Sequence, residues 1–114
     1  MYPASLASHV NLGALLSKLG ETEAAVAHYL KALALQADDV TVLNNLGFAY
    51  VTLRKFEAAG EAVRNSLAIS EENPDAWNLL GLIYRQQGRT EESLGFFNRA
   101  LQLKPDATEV HLNV

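Results

Sequence analysis

The residues of this sequence whose types could do chemistry are three histidines, the adjacent glutamates Glu71-Glu72 and Glu91-Glu92, and a recurring asparagine. A nucleophile with its base, or a bound metal, needs such groups to converge within hydrogen-bond or ligand distance. His9 and His111 lie 102 residues apart, three times a 34-residue spacing that recurs along the chain. If that spacing is a helical unit stacked in layers about 8–10 Å apart, the two histidines stand roughly 25–30 Å from each other and share no site. His28 has no ligand partner at a recognisable spacing and reads as a packing or solvent-facing residue. The glutamate pairs read as loop and helix-start charges, and each glycine is accounted for by packing or turns, which leaves no phosphate-binding loop. Neither catalysis nor a metal or cofactor is expected.

The asparagines are more suggestive. Asn11, Asn45 and Asn113 occupy one position of the 34-residue spacing, interrupted by Leu79, with Asn78 beside the gap. An amide offers both a donor and an acceptor, so a row of them could pair with the backbone of an extended peptide whatever its sequence. Local bonding to neighbouring helices and loops is the alternative reading of the same residues.

Composition narrows the partner. The 114 residues are 49% hydrophobic, enough for a continuous core. A net charge of -4 without a clustered basic stripe argues against nucleic acid. No stretch approaches the roughly 20 apolar residues that span a bilayer, so membrane insertion is not expected. MYPASLASHV lacks the basic flank and apolar run of an export signal, and the chain has no cysteine. A cytoplasmic location is the weak expectation that follows.

Three copies of one design position these side chains. Leu12-Gly13, Leu46-Gly47 and Leu80-Gly81 lie 34 residues apart, as do Ala25, Ala59 and Ser93, then Tyr29, Val63 and Phe97, then Ala32, Ser66 and Ala100. Each copy holds two helical patterns around a break at Gly20, Arg54 or Gly88. Helices are expected near 4–18, 22–35, 40–53, 56–70, 74–87, 91–104 and 107–114. Thr22 and Thr90 are expected to cap second helices, while Asp39, Asn73 and Asp106 cap first helices, with Pro74 in a first turn. The interior glycines are expected to let the paired axes approach, Gly81 facing small residues such as Ser93 and Ala100. Gly60, where the other copies have Val26 and Leu94, marks a poorly filled place.

These residues resemble the tetratricopeptide repeat, whose pattern is W-x2-L-G-x2-Y followed by A-x3-F, A and P. Trp77, Leu80, Gly81, Tyr84, Gly88, Phe97, Ala100 and Pro105 fall on it, with Ser93 in place of the usual alanine. The second copy departs at Leu43, Arg54, Val63, Ser66 and Glu71, and the first at His9, Leu16, Tyr29 and Ala37. The resemblance implies an all-α, right-handed α-solenoid forming one domain over 1–114, with repeats about 6–39, 40–73 and 74–107 and a partial fourth first helix at 108–114. It also implies a protein-binding scaffold whose first helices line a concave groove for a peptide or partner segment. A subset of the family grips acidic chaperone tails with a carboxylate clamp of Lys, Asn, Asn, Lys and Arg. The matching places here read Val10, Ala14, Asn45, Asp75 and Leu79, so only Asn45 conforms and that specificity is rejected.

The groove is therefore expected to use Asn11, Asn44, Asn45, Phe48, Asn78, Leu82, Arg85 and Asn113. TEVHLNV, which starts a fourth copy, is expected either to mark an excised piece of a longer solenoid or to pair its open end with another copy. A self-assembling scaffold and the docking region of a larger enzyme are the alternatives to a peptide-binding module.

Overall fold

The computed structural model describes residues 6–104. They form six helices: α1 (Leu6–Lys18), α2 (Thr22–Leu35), α3 (Val40–Thr52), α4 (Phe56–Ile69), α5 (Pro74–Gln86) and α6 (Thr90–Leu103). No strand occurs among the described residues. The expected helix at 107–114, the capping role of Asp106 and the whole partial repeat lie outside them.

The helices pair as α1 with α2, α3 with α4 and α5 with α6, and the pairs stack through α2 on α3 and α4 on α5. Because α3 also touches both α1 and α5, the first helices make a continuous inner row. This is an all-α helical repeat, elongated to 50 × 25 × 24 Å.

The turn inside each pair explains both a conformity and a correction. Gly20 and Gly88 adopt φ of +84° and +80°, and Arg54 is held at 61° in the same left-handed region. The next residue closes the helix: Glu21, Lys55 and Arg89 donate their backbone N–H to the carbonyls of Leu16, Tyr50 and Tyr84 at 2.8, 2.8 and 2.9 Å. That closure makes Glu21, Lys55 and Arg89 the residues preceding α2, α4 and α6, none with a side-chain cap bond. Thr22 and Thr90 are thus the first helical residues, not caps. The first helices start as expected: Asp39 accepts from the Val42 N–H at 3.1 Å and Asn73 from the Ala76 N–H at 3.2 Å, with Pro74 in the first turn.

The interior glycines also require a correction. A Cβ on Gly81 would lie 2.6–2.8 Å from the Phe97 ring, and one on Gly13 would lie 2.5–2.9 Å from the Tyr29 ring. At Gly47 the neighbour is Val63 Cγ2, at 3.1 Å. Each glycine is the seat of a large second-helix side chain sixteen residues on, rather than a contact between small residues. Ser93 and Ala100 are fully buried, and the Ser93 hydroxyl donates to the Thr90 carbonyl at 2.7 Å. The dispersion contacts of a seated ring offset the roughly 1 kcal/mol that an interior glycine costs a helix.

Gly60 leaves a hollow of about 190 Å³ between α4 and α5, lined by Phe56, Arg64, Leu80, Ile83 and Tyr84. A Cβ there would meet only the flexible end of Arg64, at 3.1 Å. Gly60→Ala is expected to raise unfolding stability by about 0.5–1 kcal/mol, whereas Gly81→Val should lower it by about 1–3 kcal/mol by driving Phe97 from its seat. Urea titrations of the two variants check both signs.

Candidate functional site

The inner row presents three shallow hollows. The first, about 170 Å³, lies between α3 and α5 and is lined by Asn44, Asn45, Phe48, Asp75, Asn78, Leu79 and Leu82. The second, about 360 Å³, lies on the α1 side of Phe48 and is lined by Ala14, Ser17, Lys18, Tyr29, Asn45 and Phe48. Asn45 and Phe48 belong to both, and Phe48 keeps 51% of its surface exposed on a helix whose other apolar face is buried. A third hollow, about 280 Å³, holds Asn11 with Ala7, Val10, Asp39, Thr41 and Val42.

The structure thus gathers Asn44, Asn45, Phe48, Asn78 and Leu82 around one hollow and sets Asn11 at another. Arg85 lines neither; its guanidinium lies 5.7 Å from the centre of the Phe97 ring. Asn113 lies outside the described residues. Asp75, Lys18 and Tyr29 join the walls as well, beyond the residues expected there. Asp75 and Lys18 place one charge of each sign on opposite sides of Phe48. Burial pushes the Tyr29 phenol above its ordinary pKa, so it remains a neutral hydroxyl at physiological pH.

The amides differ in what they can offer a partner. Asn44 Nδ2 donates to Asn73 Oδ1 at 2.9 Å, Asn73 Nδ2 donates to Ser66 Oγ at 2.6 Å, and Ser66 Oγ donates to Asn44 Oδ1 at 2.8 Å. All three side chains are buried in this closed ring, which also caps α5 through Asn73. Asn44 is therefore committed to local structure, the alternative weighed for the amides. Its position fixes the wall of the hollow while its amide holds α3, α4 and the α5 cap together. Asn45 and Asn11 make no side-chain hydrogen bond among the described residues.

Asn78 holds the Asn44 place one repeat later, and its buried Oδ1 has no partner among the described residues. The reason is one oxygen atom: Ser66, which serves Asn44 Oδ1, is replaced by Ala100 at the matching position.

His28 has a partner that its sequence spacing did not reveal. His9 Nδ1 and His28 Nδ1 lie 3.1 Å apart across α1 and α2, with ring centres separated by 5.3 Å. Adding two repeat lengths to each gives Trp77 and Phe96, which stack at 6.1 Å in α5 and α6. The pair is one aromatic joint between paired helices, rebuilt with imidazoles. No group of three or more His, Cys, Asp or Glu residues suited to a metal ion occurs among the described residues.

Family models match this architecture in two segments, a tetratricopeptide repeat model over residues 45–108 and a TPR repeat model over residues 13–53. The chain belongs to the tetratricopeptide repeat family. BBSome complex member BBS4 of Bos taurus is 27% identical over 92 residues, 81% of this chain and 18% of that protein. The peroxisomal targeting signal receptor of Eremothecium gossypii is 30% identical over 90 residues, 78% of this chain and 16% of that protein. The chain thus spans less than a fifth of the length of either relative. Among solved structures, the first TPR of Spaghetti (RPAP3) bound to the HSP90 peptide SRMEEVD superposes with a TM-score of 0.85 at 21% identity, covering 94% of this chain and 85% of that one. None of the described helices is long and apolar enough to cross a membrane.

Three substitutions test the amide chemistry. Ala100→Ser should restore the missing donor to Asn78 Oδ1 and add about 1 kcal/mol of stability. Asn44→Ala should cost about 1–3 kcal/mol by orphaning Ser66 and Asn73, whereas Asn45→Ala should change stability little. Thermal and urea unfolding read all three.

Proposed function

We propose that this tetratricopeptide repeat chain is a protein-interaction module that receives an extended segment of a partner along its inner row, with no catalytic step and no cofactor. The observation that carries the reading is Phe48, half exposed between two hollows and flanked by the uncommitted amide of Asn45. An apolar partner side chain seated against Phe48 would be desolvated, while Asn45 would pair with the partner's backbone. The Spaghetti (RPAP3) domain, solved with a peptide, supports a peptide as the kind of occupant for this fold.

The occupant differs from a tail gripped by its carboxylates. Asp75 and Leu79, in the wall at the matching places, supply no cation, and Asp75 would repel an acidic terminus. Lys18 and Asp75 instead favour a segment with an apolar residue at Phe48 and charges of both signs around it.

A random peptide library selected on the intact chain, followed by titration calorimetry of the recovered peptides, tests the reading. Phe48→Ala should weaken binding about tenfold or more, a change of about 1.4 kcal/mol, and Asn45→Ala should weaken it by a smaller factor. Recovered peptides that bind both variants as tightly as the wild-type chain would rule out this surface.

A further inference from the structure

The two hollows beside Phe48 are unequal in size, about 360 Å³ on the α1 side against about 170 Å³ on the α5 side. A single side chain accounts for the extra room: Ala14 stands on α1 where α3 has Phe48 and α5 has Leu82. The larger hollow also differs in chemistry. Ser17, Lys18, Tyr29 and Asn45 bring an ammonium, two hydroxyls and an amide to its walls, and no Asp or Glu lines it. None of these four side chains has a hydrogen bond or an ion pair among the described residues.

This combination occurs once in the chain. One repeat on, the places of Ser17, Lys18 and Tyr29 hold Val51, Thr52 and Val63, so the cation and both of these hydroxyls are gone. The Tyr29 ring is needed as the seat partner of Gly13, but its hydroxyl is not, since Phe97 fills the same role without one. Burial keeps that hydroxyl protonated, so it can donate to an anion. Three neutral donor groups beside one positive charge are the complement of an oxyanion with a single negative charge. A phosphate carries nearly two charges and is matched by clusters of arginine, whereas this hollow has one lysine.

We propose that the hollow between α1 and α3 holds the carboxylate of a Glu or Asp side chain of the partner segment, with Lys18 as counter-ion and Ser17, Tyr29 and Asn45 as donors. This rests on the reading that an extended segment lies along the inner row, and it names the residue next to the apolar one at Phe48. Asp75, on the other side of Phe48, repels an acid there and so fixes which way round the segment lies. Of these four donors only Asn45 coincides with a place of the carboxylate clamp.

Peptides recovered from the random library, resynthesised with acetylated and amidated ends, are the probe. They should carry an acid at a fixed spacing from the apolar residue whose binding depends on Phe48. Changing that acid to its amide should weaken binding about threefold to fivefold. Lys18→Ala, at an exposed position, should weaken the acidic peptide by a similar factor and leave the amide form unchanged, and Tyr29→Phe should also discriminate between the two forms while keeping the ring on Gly13. Selection on a Lys18→Glu chain should recover Lys or Arg at the same spacing. Peptides that depend on Phe48 but show no preference for the acid, or that lose equal affinity to Lys18→Ala in both forms, would overturn this proposal and leave the reading of the inner row standing. Peptides indifferent to Phe48→Ala would overturn that reading and this proposal together. A phosphoserine that binds about tenfold more tightly than the acid it replaces would overturn the assignment to a carboxylate.

Discussion

The fold depends on seating one large side chain of each second helix on a glycine of the first. Tyr29 lies on Gly13, Val63 on Gly47 and Phe97 on Gly81, and in each case a methyl group at the glycine would press on the seated side chain. The seat sets how closely the paired axes approach. Aromatic contacts extend the joint in the third repeat, where Phe96 meets Trp77 at 6.1 Å and the edge of Tyr84 at 4.9 Å. At the first repeat the corresponding joint is made by His9 and His28. The seat is conserved in geometry across the three pairs, whereas the flanking joint changes its chemistry.

Once the pairs stack, the first helices line up and their remaining faces have nothing from the second helices to cover them. The hollows around Phe48 follow from this, as does the division of labour among neighbouring amides. Asn44 points into the seam between repeats, where water is excluded and a closed ring of hydrogen bonds satisfies its amide. Asn45, one residue on, is rotated out of that seam and keeps its donors and acceptor available. A shift of about 100° around a helix separates an amide committed to the fold from one left uncommitted.

The period, the paired helices, the first-helix caps at Asp39 and Asn73 and the breaks at Gly20, Arg54 and Gly88 are readable from the chain, because each rests on local spacing or local backbone chemistry. The caps of the second helices are not legible in this way, because threonine is a good cap in isolation. The turn closure that promotes Glu21 and Arg89 to that place depends on backbone bonds reaching back five residues. The glycine seats were only half readable: periodicity showed that something must lie over Gly81, but which side chain does so depends on the crossing of two helices. The ring of Asn44, Ser66 and Asn73 and the pairing of His9 with His28 join residues 7 to 29 apart, and no single-helix pattern carries them. The signal that does point to the pairing is the 34-residue register of the second helices, which sets His28 at the place of Phe96.

Proton magnetic resonance of the glycine α-protons tests the seating most directly. Rings lying over Gly13 and Gly81 should shift those α-protons upfield and give cross-relaxation to the ring protons of Tyr29 and Phe97. Gly47, which seats a valine, should keep an ordinary shift. Equal shifts at all three glycines, with no cross-relaxation to either ring, would contradict it.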